Sequence, residues 1–392
     1  MSDENASYSL HFRNDGENIN LEMDRDIEGI ITEWSNLRRA MTREVPDGFS
    51  RDEWAYLISF IEMRALNEVY SSTFGKRIEE PEARKRILVS GTRVALWSPN
   101  NVSLLAPLTM ILVSITGSRL RIKLGNEGAD LCTPLVNWVR SKVKSGPLYE
   151  WLKSDLEVAQ FSRSDSRGAE WSNWADVKLV FGSDAGCAAV DALPTTEHAQ
   201  TFLFSDKTSR MWCTAQHMDD TAIDTLIRVF SIYGTAGCTS PRVVTILDGT
   251  EQDARTLGNR LADRWPEIVK QDIEMHHASQ NVLSAQIGGA KGSDVLTIER
   301  NAAVIAISEN ESLLPIGHYT LEITHSTVEQ AIKALPDNIQ TIGHHLPSEM
   351  VKSLSNKLNS TEVKRFVPVG EMHHFGPVWD GLHFWRGLFR EK

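Results

Sequence analysis

The feature that most limits how this chain can fold is an apolar run at residues 104–116, set between two short strand-like segments. Residues 93–97 read as an apolar strand ending in Ser98-Pro99-Asn100-Asn101. Residues 104–115 read as a buried helix, Gly117 ends it, and residues 120–124 return as a strand. The run is shorter than the roughly 20 residues a membrane span requires, and Pro107 interrupts it, so no span is expected. Burial inside the protein is the remaining way to take it out of water. Strand–loop–helix–strand is the building block of a parallel sheet.

A second unit of this kind follows. Residues 177–181 form a strand that runs into Gly182-Ser183-Asp184-Ala185-Gly186, a helix is expected over 187–192, and 201–204 is the next strand. Two consecutive units predict an α/β class with a Rossmann-type, dinucleotide-binding architecture. The first ninety residues read as mainly helical, over 27–37 and 54–70, with Asp52 capping the second helix. The second half has a pattern of its own. Helices are expected over 219–233, 251–265 and 328–335, the last ended by Pro336. Strands are expected over 243–247, 302–307 and 319–323, and another ending at Ile342. The chain therefore divides near residue 206.

Charge narrows the partners. With 41 Lys and Arg against 52 Asp and Glu, the net charge is -11. Nucleic-acid binding needs dense cations to replace counterions, so neither nucleic acid nor an anionic membrane surface is an expected partner. The first 26 residues are acidic and lack a basic segment followed by an apolar one, so no secretory signal is expected. None of the cysteines, Cys132, Cys187, Cys213 and Cys238, has CxxC spacing. Reduced thiols and a cytoplasmic location are the expectation.

One cysteine stands apart. Gly237-Cys238 lies in the loop Gly234-Thr235-Ala236-Gly237-Cys238-Thr239-Ser240-Pro241, between a helix and a strand. Small neighbours admit a substrate carbonyl and leave backbone N–H groups to bind an oxyanion. A thiolate there could act as a covalent nucleophile, and the competing reading is a structural cysteine in a turn. The other three sit in helical or strand patterns and are expected to be structural. Asn101, at a strand end, carries an amide that could donate to a developing oxyanion or cap the next helix. Gly182-Ser183, at a strand end opening a helix, suits a phosphate. Lys123, at the end of the 120–124 strand, could reach an adenosine ribose or simply be solvated.

Taken in order, these pieces resemble the aldehyde dehydrogenase superfamily. Trp97-Ser98-Pro99-Asn100-Asn101 looks like its PWN segment, Arg121-Ile122-Lys123 like its cofactor-binding lysine strand, Val180-Phe181-Gly182-Ser183 like its FTGS turn, and Gly237-Cys238 like its nucleophile loop. Within the superfamily, the chain is similar to the LuxC-type acyl-CoA reductases over roughly residues 90–390, which is judged by motif order. Three segments carry this: Gly237-Cys238-Thr239-Ser240-Pro241-Arg242; Ile339-Gln340-Thr341-Ile342-Gly343; and the run from Val369 through His373-His374 to Trp379-Asp380-Gly381.

The resemblance implies an aldehyde-dehydrogenase-like fold. Residues 1–205 would be N-terminal helices and the cofactor domain, 206–345 the catalytic domain, and 346–392 a C-terminal segment returning to the cofactor domain. It implies Cys238 and Asn101 as catalytic residues, and Ser98, Pro99, Lys123, Gly182 and Ser183 as cofactor-binding. The implied reaction reduces an acyl-CoA, or another acyl thioester, to an aldehyde. An acyl-activating synthetase is an implied partner, and a homo-oligomer is expected. Two other readings use the same residues: a CoA-acylating dehydrogenase running oxidatively, and an idle scaffold.

The departures sharpen this. Hydrolytic aldehyde dehydrogenases carry a general-base glutamate four residues before a lysine, whereas here Leu203 stands four residues before Lys207. Without that base, water is poorly activated to cleave an acyl-enzyme, although Asp206 is near in sequence. Asn126 stands where many NAD-preferring relatives have a glutamate. It would repel a 2′-phosphate less, so NADPH is favoured over NADH. Three pairs, His276-His277, His344-His345 and His373-His374, carry no metal-site spacing. Neighbours on a strand point to opposite faces, and a zinc site needs ligands converging from separate segments, so no metal is expected. Trp171, Trp174, Trp379 and Trp385 could line an acyl pocket, with core packing the simpler expectation.

Overall fold

The structure, a computed structural model, describes residues 8–79, 85–126, 129–270, 273–309 and 317–392. The chain forms two compact units, Met1–Ser205 with Phe375–Lys392, and Asp206–His374.

The first unit begins with a hairpin of Tyr8–Asn14 (β1) and Glu17–Met23 (β2). Asp15 and Gly16 turn it, both with positive φ, as a two-residue hairpin requires. Three helices follow: Ile27–Met41 (α1), Arg51–Phe60 (α2) and Met63–Phe74 (α3). Short strands Lys76–Ile78 (β3) and Lys85–Val89 (β4) come next. These strands correct the expectation of a mainly helical start. The Asp-Gly pair was a legible hairpin signal, outweighed by the strong helical periodicity after it. The helix expected over 54–70 is two helices, because Ile61 turns into the core between them. Its cap is Ser50 and not Asp52: the Ser50 hydroxyl accepts the Glu53 N–H, and the Glu53 carboxylate accepts the Ser50 N–H.

The rest of the unit is a doubly wound sheet. In chain order it comprises Arg93–Trp97 (β5), Leu105–Ser114 (α4), Arg119–Leu124 (β6), Cys132–Lys142 (α5), Pro147–Ser154 (α6) and Leu156–Gln160 (β7). Arg167–Trp174 (α7), Val177–Phe181 (β8), Asp184–Asp191 (α8) and Gln200–Phe204 (β9) complete it. All its strand pairings are parallel, in the order β7-β6-β5-β8-β9. Every residue of α4 is buried, as a helix apolar on all sides must be. The crossover through α4 runs toward one edge of the sheet and that through α8 toward the other. Right-handed crossovers then put these helices on opposite faces, so the strand order reverses between β5 and β8.

The second unit holds a seven-stranded sheet: Thr208–Cys213 (β10), Pro241–Leu247 (β11), Asp294–Thr297 (β12), Val304–Ile307 (β13), Thr320–Ser326 (β14), Ile339–His345 (β15) and Arg365–Pro368 (β16). Its order is β12-β13-β14-β11-β10-β15-β16, with only the β12–β13 pairing antiparallel. Helices Asp220–Tyr233 (α9) and Glu251–Ile268 (α10) share a core with Met211, Val244 and Ile323. Met275–Ala290 (α11) lies beside β12 and β13. Val328–Lys333 (α12) and Ser348–Leu358 (α13) share a separate core with Trp212, Leu247 and Ile342. The strand expected to end at Ile342 runs on to His345.

The return to the first unit begins at Phe375 and not at residue 346, because α13 and β16 belong to the second unit's sheet and core. Residues Arg390–Glu391 (β17) then pair with β4, and Phe384, Trp385 and Leu388 are fully buried. The Trp385 indole donates to the Leu112 carbonyl at 2.7 Å and meets Tyr70 edge to face. Asp176, just before β8, takes the Arg93 N–H and ion-pairs with both Arg93 and Arg390 at 2.9 Å.

Candidate active site

In the first unit, the turns after β5 and β8 lie side by side at the carboxyl edge of the sheet, where its strand order reverses. Open α/β sheets bind ligands at such a place. The Ser98 N–H donates to the Lys123 carbonyl at 2.9 Å, which lays the Ser98–Pro99–Asn100–Asn101 turn against the end of β6. Asn101 is exposed on that turn. The Lys123 ammonium donates to Asn126 Oδ1 at 2.9 Å. Burial, and then repulsion from Arg163, holds its pKa below the usual lysine range.

The Gly182 N–H closes on the Phe204 carbonyl at 3.1 Å, and a side chain at Gly182 would project into open space. Ser183 caps α8, its hydroxyl accepting the Gly186 N–H at 3.2 Å. The open space at Gly182, the helix start and the Lys123 cation fit a dinucleotide. Asp184, in the first turn of α8, adds a carboxylate that a phosphate must avoid. Ser98, Pro99, Asn101, Lys123, Gly182 and Ser183 thus share one sheet edge. Leu203, four residues before Lys207, packs on the core of Trp97 and Val180.

In the second unit, the cysteine loop is built from its glycines. Gly234 ends α9 at φ 53° and ψ -147°, which side chains rarely allow, and the His318 carbonyl packs where its Cβ would be. A 3-10 turn, Gly234–Ala236, follows. The Thr235 N–H donates to the His318 carbonyl at 2.7 Å, and its hydroxyl lies 2.6 Å from the Gly317 carbonyl. Gly237 is hemmed in by Tyr233 and the Ser240 hydroxyl. The Ser240 N–H returns to the Gly237 carbonyl at 3.1 Å, and the Ser209 hydroxyl, from the start of β10, donates to the Cys238 carbonyl at 2.6 Å.

None of the four cysteines is joined in a disulfide. Cys238 is half-buried and the other three are buried. Burial raises the Cys132 thiol well above the ordinary range and pushes Cys213 up to about 12.

Two side chains act on this loop. His373 Nε2 lies 2.6 Å from the Val229 carbonyl, which can only accept, so the ring proton sits there. Its Nδ1 then accepts from the Thr239 hydroxyl at 2.7 Å, next to Cys238. The ring meets Tyr233 edge to face, and burial holds its pKa down to about 4, so it is neutral at pH 7. Arg242 lies at the start of β11. Surrounding protein lowers the pKa of its guanidinium, while the charges of Cys238 and Asp206 act the other way, so the cation feels both groups. Sequence reading assigned no role to Ser209, Arg242 or His373. Arg242 and His373 lay within motifs it singled out, whereas Ser209 carried no signal, because β10 meets the loop only through sheet pairing.

His344 and His345 end a strand and point to opposite faces. Trp171, Trp379 and Trp385 are buried. Among the described residues, no helix is long and apolar enough to cross a membrane.

A family model described as acyl-CoA reductase (LuxC) matches residues 92–391. No curated protein matches the chain. Among solved structures, an aldehyde dehydrogenase from Bartonella henselae is similar, with a TM-score of 0.62 at 13% identity, over 93% of this chain and 84% of that one. An oxidoreductase from Marinobacter aquaeolei has a TM-score of 0.66 at 11% identity, over 93% and 84%. An NAD-dependent benzaldehyde dehydrogenase from Corynebacterium glutamicum has 0.58 at 11% identity, over 88% and 80%. At these identities the likeness is one of fold: an aldehyde-dehydrogenase-like α/β architecture.

Proposed function

This chain belongs to the LuxC acyl-CoA reductase family, and from that membership we propose that it reduces a fatty acyl-CoA to an aldehyde through an acyl-Cys238 intermediate. The observation that carries the reading is the thiol itself: Cys238 is the half-buried one of four free cysteines, in a loop shaped by two glycines.

The Cys238 thiolate attacks the thioester carbonyl. The Arg242 guanidinium lies within electrostatic reach of Cys238, and a nearby cation favours the anionic sulfur. We assign the Asn101 amide and the Cys238 N–H as donors to the oxygen that becomes negative. The C–S bond to CoA breaks, CoA leaves as its thiolate, and an acyl-cysteine remains. A reduced nicotinamide, held by Lys123, Gly182 and Ser183, would supply hydride to the acyl carbon. The resulting thiohemiacetal collapses to aldehyde and frees Cys238. Leu203 leaves the general-base position without a carboxylate, which favours reduction over hydrolysis of the acyl-enzyme.

Lys123, Ser98, Pro99, Gly182 and Ser183 are the proposed cofactor contacts. NADPH is the preferred cofactor, because Lys123 has Asn126 beside it and Arg163 within electrostatic reach. An acyl-activating synthetase is the partner class that would supply the thioester.

The test is intact mass after mixing the protein with a long-chain acyl-CoA, without cofactor. Wild type should gain the acyl mass and lose it on adding NADPH, and Cys238→Ala should gain none. An adduct of equal size on Cys238→Ala would rule out Cys238 as the nucleophile.

A further inference from the structure

The second unit carries a cluster of imidazoles that the proposed reaction does not use. Glu274 precedes α11, and His276 and His277 lie in its first turn. One ligand atom from each of the three lies within 4.8 Å of the others. His276 Nδ1 is 3.2 Å from a Glu274 oxygen. The His276 and His277 rings are 3.8 Å apart, and the His318 ring stacks on His277 at 4.1 Å. Starting a helix, this pair escapes the strand rule that sends neighbours to opposite faces.

The placement is set by docking. Within α11, Asn281 accepts the Tyr319 N–H at 3.2 Å and donates to the Ala302 carbonyl at 3.3 Å, which registers the helix against the turn before β14. Ligand candidates from one segment are thereby held against a histidine from another.

We propose that Glu274, His276 and His277 form a site for a divalent transition-metal ion of the zinc class, with His318 packed against it as the link to the cysteine loop. Two imidazoles and a carboxylate suit such an ion and leave a coordination position open. Two nitrogens on one zinc lie at most about 4.2 Å apart, so small side-chain rotations of the exposed Glu274 and His276 would close the set. The link is short: the His318 carbonyl accepts the Thr235 N–H at 2.7 Å, three residues before Cys238. An ion that stiffens the His277–His318 stack stiffens the start of that loop.

The experiment titrates Co²⁺ into the full chain as wild type, as the double variant His276→Ala/His277→Ala, and as Cys238→Ala. Wild type and Cys238→Ala should each take up one equivalent, with d–d bands, and the double variant should bind at least about tenfold more weakly. Amide exchange at Thr235 should slow on Zn²⁺ addition in wild type and not in the double variant. Binding that survives in the double variant, or that disappears in Cys238→Ala, would assign the metal elsewhere and overturn the site. No uptake by wild type would overturn it equally. Unchanged Thr235 exchange with the ion bound would overturn the link. None of these readouts depends on acyl reduction.

Discussion

Around Cys238, single side chains decide what the loop can do. Ser209 holds its carbonyl, and Thr239 beside it is held by His373. His373 predicts a pH dependence. The unfolded imidazole takes a proton below about 6.5, but the folded one does so only below about 4. Between these values the unfolded state binds one more proton, so stability falls as pH falls through that window, by about 3 kcal/mol in all. In His373→Gln that share of the slope should vanish from denaturant midpoints measured between pH 7 and 4. His318, also held down to about 4, should leave a similar share behind. An unchanged slope in the variant would show that His373 is not buried neutral. Asn101 predicts a kinetic effect. As an oxyanion donor, its replacement in Asn101→Ala should cost about 10²–10³-fold in turnover, with acyl-CoA affinity little changed. A loss confined to affinity would make Asn101 a binding residue.

At the scale of elements, the cysteine loop depends on the backbone at Gly234. Gly234 combines a positive φ with a carbonyl packed against its Cα. Gly234→Ala should cost about 1–3 kcal/mol and slow acylation of Cys238 more than a surface change of equal cost. Normal stability and acylation in that variant would mean that the loop tolerates a different path. Much at this scale was legible from the sequence. The helix capped by Asp219, the strands β5, β6, β8 and β9, and both chemistry-bearing turns are read from periodicity and punctuation. The hairpin of β1 and β2 was not read, because the strong helical pattern that follows outweighed its Asp15-Gly16 turn. Strand β10 was missed because it opens on the polar residues Thr208, Ser209 and Arg210, which leave no apolar run to read although they lie within the sheet.

At the scale of the whole molecule, the chain's end completes the unit where the chain began. Trp385 and Phe389 pack on Tyr70 and Phe74, Phe384 packs on Phe204 and Phe375, and Leu388 is fully buried. Trp385→Ala should destabilise the protein by about 3–5 kcal/mol, the usual cost of emptying a large aromatic site, although it lies far from Cys238 in sequence. Denaturant unfolding measures this, and a loss under 1 kcal/mol would mean that the segment is dispensable.

Sequence alone determined the α/β class and marked out the Cys238 loop and the turns after β5 and β8, because local chemistry carries these: glycine and proline punctuation, apolar periodicity and motif order. Only the tertiary structure decided that the return begins at Phe375, that Ser209 and His373 hold the Cys238 loop, and that His318 meets His277. The physical reason is distance along the chain. Residues 29 and 134 positions apart share a hydrogen bond only because sheet pairing and helix docking bring them together, and no local pattern records which distant partner a polar side chain will meet.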